Sequence, residues 1–327
     1  MRSWNRSLVL LAGSMVLLAV VCVAGLLLDP RTLGGQPIWA KPLKFSVSFV
    51  LYATTLAWMI SLVSGSRARR WAGVAGTVVA VAAVVEMAVI VGQVIRGRAS
   101  HFDVATPLDT ALWSLMGVTI VVLWSATAVV GVVLLRERGL PRPTAWAVRL
   151  GVGVSLLGMA VAFLMTSPSG AQIAAARTAP MTAAGAHAVG VPDGGPGLPL
   201  LGWSTTGGDL RIGHFVGLHA LQGLPLLVLL LGALAARFAV LRPERVRASL
   251  VGVAGAAWTG LVLLLTWQAL RAQPLLAPDA LTLAALAVLV AGTATATVLV
   301  LRARPTESTP APRPGVPAPD RSPRPVA

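Results

Sequence analysis

The chain has little of almost everything a water-soluble protein uses. Only 11% of its 327 residues are charged, against about 25% in soluble domains, too few to cover a surface that faces water. A single cysteine, Cys22, excludes an intrachain disulfide framework and a Cys-rich metal site. Inside the first apolar run it reads as a small hydrophobe in packing. Lysine is nearly absent: Lys41 and Lys44 are the only two among 26 basic residues. There is one tyrosine, Tyr52, and there are four histidines. No phosphate loop, Rossmann fingerprint, nucleophile elbow or HExxH is present, so the enzyme classes built on them have no support.

What is present is apolar. Apolar residues make up 56% of the chain and the mean hydropathy is +0.81. A helix crossing a bilayer needs about 20 predominantly apolar residues. Eight runs qualify, at about 7–28, 43–63, 71–95, 110–135, 145–167, 214–240, 248–270 and 279–301. The expected fold is therefore an all-α polytopic transmembrane bundle, with an even span count that puts both ends on one side. The first span follows "MRSWNRS", but it is too long for a signal core and is read as a retained helix.

The pI near 11.9 does not point to nucleic acid, because the arginines sit in short clusters between apolar runs. Eight basic residues (Arg31, Lys41, Lys44, Arg96, Arg98, Arg177, Arg211 and Arg271) fall on one set of connecting segments, and the other 18 on the opposite set. Positive charge favours the cytoplasmic face, so both termini are expected there, in a plasma membrane. Residues 305–327 hold eight prolines and only two bulky aliphatics, a composition expected to give a disordered cytoplasmic tail. The outer loop 168–213 is long enough to be either functional or disordered, and His187 within it reads as a solvated bystander.

The unusual polar residues gather at the outer ends of helices 2, 3 and 6. Glu86 is the only acidic residue well inside a span, roughly 13–15 Å deep by helical rise. At that depth it must be paired, protonated or in contact with water, which makes it a candidate functional residue. Gln93 lies on nearly the same face. Tyr52 on helix 2 sits at matching depth, so a Tyr52–Glu86 hydrogen bond is expected, with ordinary packing as the alternative. Lys44 and Lys41 flank the mouth of helix 2. Lysine differs from arginine in being a compact point charge, and its use only here suggests a need for an ammonium. Snorkelling beside Trp39 is the plainer explanation. On helix 6, His219 and Gln222 share a face and complete a pocket with Lys41, Arg96 and Gln93 as binding residues. His101, His214 and His219 form a weak candidate for a divalent metal such as zinc. Their spacing is not diagnostic, and five residues between His214 and His219 separates them by about 140° on a regular helix. Asp109 and Asp209 read as helix N-caps, and Asp103 as a loop ion-pair partner of Arg96 and Arg98. "GQVIRG" and "WQALRA" both close a span with Gln-x-x-Arg, a faint echo of a duplicated four-helix unit.

The segments "PIWAKPLKFSVSFVLY", "EMAVIVGQVIRGRASHFDVATPLD" and "GDLRIGHFVGLHALQGLPL" together resemble a family of bacterial multi-pass membrane proteins with no assigned activity. Asp103 stands where that pattern has asparagine. The resemblance implies a bacterial inner membrane and the same site location, and implies no reaction.

Several function classes follow. A one-sided pocket suits an enzyme acting by acid–base or metal-assisted chemistry on a lipid headgroup or small extracytoplasmic molecule, with Glu86, His219 and Lys44 as catalytic candidates. A ligand-binding receptor or a solute or proton transporter is the alternative. The inner halves of the spans offer only scattered Ser and Thr, which argues against a through-path. A haem redox protein ranks last, since only helix 6 supplies intramembrane histidines.

Overall fold

The computed structural model describes residues 4–303, and the proline-rich tail lies outside them. Helices dominate: α1 (Arg6–Leu28), α2 (Ala40–Ser61), α3 (Ser66–Arg96), α4 (Pro107–Arg136), α5 (Arg142–Val161), short α6 (Gly170–Ala175), α7 (Leu210–Leu218), α8 (Ala220–Leu234), α9 (Glu244–Leu270) and α10 (Ala280–Arg302). Two small antiparallel ladders join the loops, β1 (Thr32–Leu33) with β2 (Gln36–Pro37) and β3 (Ala188–Val189) with β4 (Gly208–Asp209). Seven helices are long and apolar enough to cross a bilayer. Taken as one broken span, α7–α8 makes an eighth crossing. The molecule is an all-α polytopic membrane bundle.

Local chemistry sets the helix ends. At α4, Thr106 is the N-cap and Pro107 opens the first turn, where the missing proline N–H is no loss. Asp109 therefore stands in the first turn and is not the cap expected from the sequence. Gly97 ends α3 with φ +68, a left-handed conformation that favours glycine. Asp209 does cap α7, accepting from the Arg211 amide. The sixth expected span differs most: it bends by 43° at His219 and its helix stops at Leu234, short of residue 240. The bend follows Gly217, which lies so close to Gly158 of α5 that a Cβ on Gly158 would sit 2.6 Å from the Gly217 backbone.

The helices pack as two similar halves. In the first, α1 lies on α2 and α3, α2 on α3, and α3 on α4. In the second, α5 lies on α7, α8 and α9, the α7–α8 pair on α9, and α9 on α10. The halves meet through α4 with α5 and α2 with α8. We call the end where α3 and α9 finish the loop end, and the opposite one the arginine end. The loop running through residues 166–209 crosses the loop end from the second half to the first. Lys44 and Arg211 both hold its turn there, donating to the carbonyls of Leu201 at 3.0 Å and Gly202 at 2.6 Å.

Candidate functional site

Four elements meet beneath that covering loop: the start of α2, the middle and end of α3, the 98–106 connection, and the start of α7. Glu86 is 3% exposed, and its Oε1 has no hydrogen-bond partner among the described residues. A buried carboxyl oxygen without a partner is costly by about 1–3 kcal/mol, so the fold tolerates Glu86 for a reason other than packing. Lys41, in the first turn of α2, is within electrostatic reach of Glu86, His101 and His187. Its Nζ lies 6.0 Å from the Phe45 ring centroid. Among the described residues Lys41 makes no hydrogen bond or ion pair.

Apart from Arg177, which is exposed on the loop, the other cations at this end are committed. Lys44 tethers the loop through Leu201. Arg211 forks onto the Asp209 carboxylate, with Nη2 to Oδ2 and Nε to Oδ1 at 2.9 Å. Arg96 and Arg98 converge on Asp109, at 2.8 and 2.6 Å. Gln93 joins them, its Nε2 donating to Asp109 Oδ1 and to the Ala99 carbonyl at 3.1 Å each. Thr106 Oγ1 donates to Asp109 Oδ2 at 2.6 Å. Arg96 and Gln93, expected to bind substrate, instead bind the first turn of α4 to the last turn of α3.

An aromatic wall closes the site. His101 sits 5.8 Å from Phe45 and 5.6 Å from Trp113 by ring centroid, and Phe102 touches both Trp113 and His187. Phe102 adopts φ +65, unusual for a residue with a large side chain. Burial first, and then the positive charge of Lys41, push the His101 pKa well below the ordinary histidine value. His101 is therefore neutral at pH 7.

Several expectations are corrected. The Tyr52 hydroxyl bonds Thr127 of α4, not Glu86. Helix α3 has no packing face with α7 or α8 like those with α1, α2 and α4, so helices 2, 3 and 6 do not enclose Glu86 as a trio. Gln222 turns to His219, accepting from its Nδ1 at 3.3 Å. His214 donates from Nδ1 to the Gly158 carbonyl at 2.8 Å. The triad His101, His214 and His219 does not converge, and among the described residues no group of three His, Cys, Asp or Glu is placed to hold a metal. His187 is no bystander. It packs edge-on against Phe102 and bonds Asp193 at 3.0 Å. Asp193 and the aromatic wall were missed because nothing local marks them. The spacing Thr106-x-x-Asp109, a capping-box pattern, was the available sign that Asp109 is more than a cap.

No family model, curated protein or solved structure matches the chain. Its chemistry must be argued from its own side chains.

Proposed function

We propose that this is an eight-span plasma-membrane protein of bacterial type, both ends cytoplasmic, that binds a small anion from the extracytoplasmic side at Lys41. One observation carries the reading. Among the described residues Lys41 makes no hydrogen bond or ion pair although it stands beneath a loop and among aromatic rings, whereas Arg177, the other cation of this end without a side-chain partner, is exposed on the loop. Half-buried Lys41 gives up part of its hydration without gaining a protein partner, and an anionic ligand offsets that loss. The positive-inside distribution of arginine supports the orientation, with the covering loop on the outer face.

A second reading, acid–base catalysis on that ligand, is favoured by the free Oε1 of Glu86 within electrostatic reach of the same ammonium. Glu86 would carry the proton and neutral His101 would accept or relay it. His219 and Lys44 have no part in this version, since they serve the α7–α8 bend and the loop tether.

The test is thermal unfolding of the purified protein with a panel of carboxylates and phosphates. An anion that raises the Tm of wild type should leave Lys41→Met unmoved and still raise Lys44→Met. An equal response in Lys41→Met removes the binding site. For the catalytic version, Glu86→Gln should keep the ligand shift and lose turnover.

A further inference from the structure

At the arginine end, an open cleft of about 540 Å³ lies between the start of α5, the end of α8 and the start of α9. Pro141, Thr144, Val228, Gly232, Glu244 and Arg247 line it. Pockets of a few hundred cubic ångströms are of ligand size.

The cleft is two-sided in chemistry. One cation, Arg247, lines it, and Arg142, Arg242 and Arg245 lie beside the lining residues in sequence. Arg247 uses Nη1 for the carbonyls of Leu241 and Arg242, both at 2.8 Å, leaving Nε and Nη2 without a protein partner. The flanking Arg142, Arg242 and Arg245 have no side-chain hydrogen bond or ion pair among the described residues. At the loop end, by contrast, Arg31, Lys44, Arg96, Arg98, Arg211 and Arg271 are all engaged. The other wall is hydrocarbon: Val228 and Gly232 continue into the exposed Leu229 and Leu230 of α8. Trp146, exposed at this end, is a residue type that favours the boundary between acyl chains and water. A molecule that fits both walls carries a phosphate for the arginines and acyl chains for α8. Glu244 adds an acceptor, already receiving the Arg142 amide at 2.6 Å. That acceptor suits the hydroxyls of a glycerol headgroup better than a bare phosphate. Basic pockets between spans at this depth are known to take anionic lipid headgroups.

We propose that this cleft is a binding site for an anionic phospholipid of the phosphatidylglycerol class, in the leaflet that meets the arginine end.

The test uses the full chain in neutral detergent, titrated with phosphatidylglycerol or with phosphatidylcholine. Phosphatidylglycerol should raise the Tm by roughly 4 °C more than phosphatidylcholine near saturation. Arg142→Gln/Arg245→Gln breaks no intramolecular side-chain bond. It should keep the lipid-free Tm and lose at least half of that difference, and adding Arg247→Gln should abolish it. Native mass spectrometry should show the retained lipid falling in the same order. Equal shifts with the two lipids, or the full difference surviving in the triple variant, overturns the site. The same shift from soluble glycerol phosphate would assign the cleft to a free metabolite and overturn the lipid.

Discussion

At the end of α3, Gln93 donates to the carbonyl six residues on, and Arg96 pairs with Asp109 in the first turn of α4. At the end of α9, Gln268 donates to Pro274, again six residues on, and Arg271 pairs with Asp279, the N-cap of α10. The parts are the same and the surroundings differ. The Asp109 side chain is fully buried and takes a second arginine, whereas that of Asp279 is 41% exposed and takes one. The first corner supports the covered polar centre, while the second stands at the bundle edge, where α10 packs chiefly on α9. A local motif thus sets which atoms bond, and burial sets how much each bond matters.

The largest expected effect breaks the buried corner. Asp109→Ala takes from Arg96 its carboxylate and from Arg98 and Gln93 one of two acceptors, and removing one member of a buried charge network is strongly destabilising. Folded protein recovered by size exclusion in detergent should fall roughly tenfold. Asp279→Ala should stay within about twofold of wild type, as exposed pairs contribute little. Equal losses would mean that burial does not distinguish the corners.

Next come the glutamines. Gln93→Ala should destabilise by about 1–3 kcal/mol, because it empties three hydrogen bonds inside the bundle. Gln268→Ala should cost about 1 kcal/mol, leaving carbonyls that nearby water can reach. Thermal unfolding of the two variants measures the difference, and a larger shift for Gln268→Ala reverses the ranking.

The smallest effect concerns the covering loop. His187 faces Asp193, Phe102, Arg211, Lys41 and His101. Burial lowers its pKa, outweighing the Asp193 bond that raises it, and Arg211 and Lys41 lower it further. Protons therefore favour the open loop. Closure is at full strength above the ordinary histidine value of about 6.5 and weakens as pH falls below it. Partial desolvation raises the pKa of Asp193. Its bond from the His187 ring and the amides of His187 and Ala188 more than offset that, bringing it to about 2. Its contribution is lost only as pH falls below about 4. Amide exchange over residues 184–201, corrected for intrinsic rate, should be faster at about pH 5.5 than at 7.5. His187→Gln should flatten that dependence. The Arg271–Asp279 corner should not change in this window, because Arg271 holds Asp279 below the usual carboxylate range. A flat wild-type profile would remove the loop as what separates the two corners.

Composition alone determined the membrane, the helices and nearly every span boundary. Apolar runs of more than 20 residues have only one low-energy form in lipid, a helix that satisfies its own backbone. Burial of Glu86 followed from the same rule, as did the capping by Asp209. Sequence spacing also marked Gln93–Arg96 and Gln268–Arg271 as related, because each bond to the next helix starts from a fixed place on its own. Tertiary structure alone decided which groups share a site. Equal depth suggested Tyr52 for Glu86, yet depth does not say which way a helix face turns, and Tyr52 turned to Thr127. His101, His214 and His219 lie near one end by sequence, but a close glycine contact and a 43° bend send the ring nitrogens of His214 and His219 to Gly158 and Gln222, while that of His101 meets Ser100. The two lysines, three residues apart, differ by about 300° around α2. One side chain reaches the loop and the other the polar centre, a difference of packing that no count of residues contains.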